Sequence, residues 1–467
     1  MTRHPPIISA RHALRVVLAA GLLLMLGVNL PGHLSYDSVA QLYEGHFHIR
    51  ETWGPAIYAW VLGVFDAIIP GTALYVVASG LLFFASLAGL AALRSRVTWL
   101  GVAFAALMAL TPQVLIYQGI VWKDIAFANT AIAATVCLAW AFARWEARLS
   151  RWLWLSAALL LMAVASLFRQ TGIVVPIMAA LAIGWVAGEG QWRRAAAWGG
   201  AALLAVLALM QVLSIVAVPR LGAPEGALQQ GVRIVQNYDL IGAISLDPGY
   251  RLRDIEAAKP AAAAVLRNRG RRGWSPDRVD WLDRDLMVGA ALNAMSDDLA
   301  TRQWLDLIFR HPGLYLRLRW EDFRWVFMTP DIDRCLPVYT GVDAPAEKMR
   351  PLGLQHRYSE TDSALTDYDS RYAGTPIHRH WLYALMALIV GGILIRRREP
   401  ADIAVVALMA ASLAFTASFF VISIACDYRY LYMLDLSGLT GLFYLVLDPP
   451  GRQRPARPGA AGQSRAP

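Results

Sequence analysis

The chain has 467 residues, of which 57% are hydrophobic and only 16% charged, where a soluble domain carries about 25% charged residues. Charge-free runs at 67–93, 97–122, 195–219 and 403–426 can each cross about 30 Å of hydrocarbon, and they are too uniformly apolar for the alternating strands of a membrane barrel. The net charge of +9 gathers in short loops and at the two ends, a distribution that encodes membrane topology and excludes a nucleic-acid-binding reading.

A basic segment at 1–15 precedes the first apolar run at 16–30 with no small-residue cleavage site after it, so it reads as an uncleaved signal anchor. Ten spanning segments are expected, at 14–31, 72–93, 98–119, 125–143, 152–168, 172–188, 196–218, 380–395, 402–425 and 430–447. With the N-terminus inside, the inner connections hold Arg94 and Arg96, then Arg144, Arg148 and Arg151, then Arg193 and Arg194, then Arg396, Arg397 and Arg398. The outer turns carry only Lys123, Arg169 and Arg429 near the membrane. Segment 55–69 is apolar but short, and Pro70-Gly71 breaks it. Counting it as a span would invert every later loop, so it is expected as an interfacial or re-entrant helix on the outer side, with a second short helix at 36–45.

The expected fold is an all-α polytopic membrane protein with outer juxtamembrane helices. It divides into an N-terminal transmembrane module of seven helices (1–218), a mostly helical extracytoplasmic domain (219–378), C-terminal transmembrane helices (379–448) and a basic, disordered cytoplasmic tail (449–467). In the outer domain, Ser275-Pro276-Asp277 reads as a helix start running towards Met295. Ser296-Asp297-Asp298 starts another through Arg310, and an amphipathic stretch follows at 314–327 with Trp320, Phe323 and Phe327 on one face. Segment 331–376 reads as loop. Cys335 and Cys426 both fall on the outer side, where a disulfide between them stays open because sequence does not fix geometry.

Charges at a bilayer edge cost free energy unless paired, hydrated or used. Four such groups share the outer face. Asp37, flanked by Tyr36 and Ser38 just after the first helix, either caps a short helix or accepts a proton from a hydroxyl nucleophile. Lys123-Asp124 is either a snorkelling pair or a compact ammonium for a phosphate oxygen, in a chain with only three Lys. Arg169, in a tight turn, can aim a fork of donors at phosphate. Asp427-Tyr428-Arg429 opens the last helix, with Asp435 further down it. The 17 tryptophans, among them Trp53, Trp99, Trp122, Trp152, Trp192 and Trp198, mostly sit where interfacial belts belong. His46-Phe47-His48 is a weak metal signal, and no Gly-rich phosphate loop, nucleophile elbow or zinc-spaced Cys pair occurs.

This layout resembles the GT-C superfamily of membrane glycosyltransferases, which use polyprenyl-phosphate-linked sugars. The likeness covers most of the chain: the first helix, an outer loop with Asp37, an amphipathic segment from Trp53-Gly54-Pro55, a basic-acidic pair at the next outer turn, and a late outer domain. The Pro-Gly turn before Tyr36-Asp37-Ser38, Trp122-Lys123-Asp124, Phe168-Arg169-Gln170-Thr171-Gly172 and Arg310-His311-Pro312-Gly313-Leu314-Tyr315 are similar to bacterial members. Two departures are a single acid in the first loop and Trp53-Gly54-Pro55 in place of His-Pro-Pro. The resemblance implies an inner-membrane hexosyl- or pentosyltransferase with Asp37 as catalytic base and Lys123, Arg169 and Arg429 on the donor phosphate. Tyr36, Ser38, Asp124, Asp427 and Tyr428 would support them. The implied partners are a polyprenyl-phosphate sugar, membrane lipid and an extracytoplasmic acceptor (glycan, lipid or protein), with no nucleic acid. No cofactor is implied with certainty, and a divalent metal, though open, is not indicated. Two other readings fit less of the layout: an O-antigen polymerase or ligase, which needs no carboxylate in the first loop, and a lipid-substrate transporter or flippase, which tends to place charge at mid-membrane.

Overall fold

The computed structural model describes residues 9–52, 54–218, 227–279, 282 and 284–449. Most of the expected basic N-terminal segment, Trp53, the start of the outer domain at 219–226 and the tail from 450 lie outside the described residues. Helix α1 (Ala10–Asn29) starts on Ser9, whose hydroxyl accepts from the His12 amide, and it stops before Pro31. Helices α2 (Tyr36–Phe47) and α3 (Ala56–Ile68) pack on each other and join the core of the bundle, where Tyr58 meets Tyr75 and Phe168. They meet at Gly45 and Gly63, where a Cβ on Gly45 would overlap the Ala59 carbonyl.

The transmembrane bundle continues with α4 (Ala73–Leu93), α5 (Trp99–Leu110), the short α6 (Pro112–Leu115), α7 (Lys123–Ala143), α8 (Arg148–Phe168), α9 (Val174–Gly188) and α10 (Trp192–Val216). Among the described residues nine helices are long and apolar enough to cross a bilayer, ten if one bent pair counts as a span. The chain is an all-α, multi-pass integral membrane protein. The bent pair corrects the expectation of one straight span at 98–119: the chain turns by 67° between α5 and the segment that starts at Pro112. A residue before proline is pushed out of the helical region, and Thr111 is extended (φ −66°, ψ 147°). The pair still carries the chain from end to end of the bundle. Thr98 N–H donates to Leu447 at one end, and His33 N–H donates to Gly119 at the other.

The polar domain, named the outer domain for its expected side, begins among the described residues with α11 (Ala227–Leu246) and has a core of its own around Tyr238, Ile241, Leu266 and Leu318. No helix starts at Ser275, contrary to expectation. Residues 277–279 pair instead with 424–426, through Val279 N–H to Ile424 O (2.8 Å) and Cys426 N–H to Asp277 O (2.6 Å). The long-range pairing overrides the local cap signal, and α12 (Leu286–Asn293) begins later on an Asp285 cap. Helix α13 (Asp297–Arg310) starts on Ser296 as its sequence dictates, and α14 (Pro312–Met328) follows after a break at His311. Segment 331–376 is not all loop. It contains α15 (Glu360–Ser370), begun by a Ser359–Asp362 capping box.

Helices α16 (His380–Arg397), α17 (Pro400–Ile422) and α18 (Tyr432–Leu447) complete the bundle, with α7 and α18 almost wholly buried at its centre. At the end opposite the outer domain, Arg94 pairs with Glu399 (2.8 Å) and Arg397 with Asp402 (2.6 Å). The first and late Arg-rich loops therefore meet on one face. At the other end, Arg319 of α14 donates to Val421 O (2.9 Å) and Ser423 O (3.0 Å), and Cys335 and Cys426 form a disulfide with Cα atoms 4.7 Å apart. These contacts fasten the outer domain to the segment that leads into Asp427.

Candidate functional site at the outer end of the bundle

The first outer loop is held by its backbone. Gly32 has φ +119°, a conformation L side chains rarely adopt, and an added Cβ there would lie 2.9 Å from Val76. The loop then pairs with 119–121 through His33 N–H to Gly119 O (2.9 Å) and Val121 N–H to His33 O (3.0 Å). That register sets Ser35-Tyr36-Asp37 beside Trp122-Lys123-Asp124, and the Trp122 indole donates to Ser35 Oγ at 2.8 Å. Ser38 faces back to cap α2, with the Ser35 amide donating to its hydroxyl (3.2 Å). Asp37, one residue earlier in the first turn, stays half-exposed.

Arg429 reaches this loop from the short turn Tyr428–Leu431. Its Nη2 lies 2.7 Å from Asp37 Oδ2 and its Nε 2.8 Å from Asp427 Oδ2. The same Nε is 4.0 Å from Asp124 Oδ2, and the guanidinium sits 4.8 Å over the Trp122 ring. Asp124, buried at the start of α7, also pairs with Arg169. Arg169 occupies the extended link between α8 and a short turn, over the rings of Phe415, Phe419 and Tyr430 at 5.5–5.6 Å. Lys123 lies within electrostatic range of Arg169, Arg429, Asp37 and Asp427.

Three cations and three carboxylates thus converge from four separate stretches of chain. Burial drives the electrostatics of those that lie outside the spans. It pushes Arg169 down to about 10, with Arg429 adding to the shift, so Arg169 is still a cation at neutral pH. Burial also pushes the Asp427 carboxyl up, with Arg429 opposing. The cluster opens onto a cavity of about 950 Å³ between the bundle and the outer domain, near the top of the range of about 300–1,000 Å³ for small-ligand clefts. Tyr36, Asp37, Trp122, Asp427 and Arg429 line it on the bundle side.

The other predicted residues lie elsewhere. Tyr428 turns into the bundle, where its hydroxyl meets the Gln113 amide at 2.8 Å and its ring stacks on His380. Asp435 is buried with His380 at 2.8 Å. His46 pairs with Asp66 at 2.6 Å, and His311 packs edge-on against Tyr250 in the outer domain. Trp122, expected in an interfacial belt, is buried at the site, whereas Trp99, Trp152 and Trp192 are exposed on the bundle surface. Sequence reading missed Asn237, Arg278 and Tyr339, which line the cavity from the outer-domain side. They carry no local signal, since only the fold brings them opposite Asp37. Among the described residues no group of three or more His, Cys, Asp or Glu is arranged to hold a metal ion.

No family model and no curated relative matches the chain. Among solved structures it is similar to the oligosaccharyltransferase of Archaeoglobus fulgidus in complex with zinc and sulfate. That match has 12% identity and a TM-score of 0.43, covering 92% of this chain and 48% of the other. The archaeal oligosaccharyltransferase AglB from the same organism, in complex with an inhibitory peptide and a dolichol-phosphate, gives 14% identity, a TM-score of 0.41, and coverage of 92% and 50%. The chain spans about half the length of these structures.

Proposed function

We propose that this chain is a GT-C-type glycosyltransferase of a bacterial cytoplasmic membrane, with its N-terminus inside. It would move a hexosyl or pentosyl group from a polyprenyl-phosphate to an acceptor on the outer side. The observation that carries this reading is the meeting of Asp37 with Arg429, Asp427, Asp124 and Arg169, beside Lys123, at a cavity under the outer domain. A lipid-borne phosphate at the membrane edge needs cations close to the hydrocarbon, and an acceptor hydroxyl needs a carboxylate on the cavity side. Both are present within one connected network.

The reaction is a single displacement. Asp37 takes the proton of the acceptor hydroxyl as its oxygen attacks the anomeric carbon. The bond from that carbon to the phosphate oxygen breaks, its electron pair stays on the phosphate, and the anomeric configuration inverts. Lys123, Arg169 and Arg429 stabilise the departing phosphate, a preorganised electrostatic effect for which loss of one donor costs about 10²–10³ in rate. In the resting site Arg429 is shared between Asp37 and Asp427. An arriving phosphate competes for Arg429 and releases Asp37 to act as base, so donor binding arms the acceptor side.

The test is transfer from a panel of radiolabelled polyprenyl-phosphate sugars in membranes carrying wild type, Asp37→Asn or Arg169→Ala. Wild type transfers label. Asp37→Asn keeps donor binding and loses transfer by about 10²–10⁴, while Arg169→Ala weakens donor binding. Full transfer by Asp37→Asn would remove the base assignment and favour a polymerase or ligase without a first-loop acid.

A further inference from the structure

We infer that the outer-domain wall of the cavity, formed by Asn237, Arg278 and Tyr339, is a subsite for a sugar ring of the acceptor, so that the acceptor is a glycan. This rests on the transferase reading above and specifies the acceptor class it left open.

Asn237 is the exception among its neighbours on α11. Gln236 donates to Thr301 Oγ1 (3.1 Å), the Tyr238 hydroxyl donates to Ser275 O, and Asp239 accepts from the Trp304 indole (2.7 Å). Asn237 lines the cavity, and its buried Oδ1 has no hydrogen-bond partner among the described residues. A buried amide oxygen without a donor costs about 1–3 kcal/mol, which a ligand hydroxyl recovers. Arg278 lines the same wall. Its Nη2 makes one long hydrogen bond to Arg334 O (3.4 Å), and the side chain stands within the electrostatic field of Asp427. A guanidinium carries five N–H donors, and among the described residues this bond uses one of them. Tyr339 adds a half-buried ring beside Trp122 (centroids 6.3 Å apart), with its hydroxyl turned to Asp343 O (3.3 Å).

One amide, one guanidinium and one aromatic face match a pyranose or furanose. Each sugar hydroxyl is one donor and two acceptors, which an amide and a guanidinium satisfy together, and the apolar C–H face of the ring packs on tyrosine. The other acceptor classes fit less well. The backbone stretches on this wall, 277–279 and 424–426, spend the Val279 and Cys426 amides and the Asp277 and Ile424 carbonyls on each other, so those four groups are taken and not offered to an extended peptide. A hydrocarbon chain here would strip water from Asn237 and Arg278 and return no hydrogen bond.

The experiment is saturation-transfer NMR of the full-length protein in nanodiscs with methyl glycosides of glucose, galactose, mannose, N-acetylglucosamine and arabinose. A mixture of unstructured peptides serves as the second arm. At least one glycoside binds wild type. Its affinity falls by about 10-fold or more in Asn237→Leu and Tyr339→Ala, and returns in Tyr339→Phe, which keeps the ring and reports that the fold is intact. If no glycoside in the panel binds, if binding ignores both losses, or if only peptides bind, the inference is wrong. In the transfer assay Asn237→Leu raises the acceptor KM by about 10-fold and leaves the donor KM unchanged. The opposite split would assign the subsite to the donor's sugar and overturn the inference. Glycoside binding in a wild-type protein that transfers from no donor would remove the transferase reading and leave the sugar site standing.

Discussion

Acidification tests how the first loop is held. His33 is buried four residues before Asp37. Its Nδ1 accepts from the Gly341 amide (3.0 Å) and its Nε2 meets Asn29 Oδ1 at 2.9 Å, so the neutral Nε2–H tautomer satisfies both contacts. Asp362 and Arg357 flank the ring at 3.3 and 3.4 Å. Burial pushes the imidazole down to about 4, with Asp362 opposing and Arg357 adding. The folded value lies below the unfolded value of about 6.5, so the unfolded chain binds more protons between the two. The stabilisation is fully present above about 6.5 and is lost as pH falls towards about 4. Integrating that window gives about 2 kcal/mol lost between pH 7 and pH 5, and about 3 kcal/mol in all. Hydrogen exchange of peptides covering 31–35 and 340–343, expressed as protection factors, reads it directly. Wild type loses about 30-fold in protection from pH 7 to pH 5 if these segments open locally. In His33→Asn, which keeps an acceptor near the Nδ1 position and does not titrate, protection stays flat. An equal fall in both proteins would refute the assignment to His33.

Three further outcomes follow from packing. Gly45→Ala drives a methyl into the Ala59 carbonyl and costs about 1–3 kcal/mol. Because α2 carries Asp37, activity falls further than thermal stability, and an active, unshifted variant would refute the close contact. Arg319→Met leaves Asp239 and Asp322 buried without their cation and destabilises by about 3–5 kcal/mol. Asp322 is already pushed up to about 8 by burial, so the variant is least stable at alkaline pH in a thermal melt, and a pH-independent loss would contradict this. Replacing Cys335 and Cys426 by Ser opens a link across 91 residues. Chain entropy puts the upper bound at about 4–5 kcal/mol. Chemical denaturation with and without reductant should show wild type falling towards the variant, and no response to reductant would mean the bond contributes nothing.

The Arg periodicity made the bundle legible, and avoidance of positive charge on the outer face singled out Lys123, Arg169 and Arg429. Their meeting was not legible, because Asp37 and Arg429 are 392 residues apart in sequence and only the fold sets that distance. Two errors share a cause. Ser275-Pro276 has good helix-start chemistry, but its backbone is taken by 424–426. Trp122 has the composition of a belt residue, but Arg429 needs its ring. A third error is local: Pro112 marked a break that the apolar run around it concealed. Local signals held where no distant partner competed, as at Ser296, and failed where one did.

The charge balance explains how this cluster tolerates burial. Lys123, Arg169 and Arg429 together would repel one another at a membrane edge, and desolvation would add several kcal/mol per ion. Asp37, Asp124 and Asp427 remove that penalty by pairing, at the cost of occupying the groups a phosphate needs. A phosphate can enter only by exchanging with a carboxylate. Asp124 is buried and held by Arg169, and Asp427 is buried and tied to the backbone segment that the disulfide fixes. Asp37 alone is half-exposed, in the first turn of its helix, and faces the cavity. It is the carboxylate that exchange displaces most cheaply, and displacement leaves it beside the acceptor. Under the proposed function, the pairing that neutralises the cluster also selects which acid becomes the base.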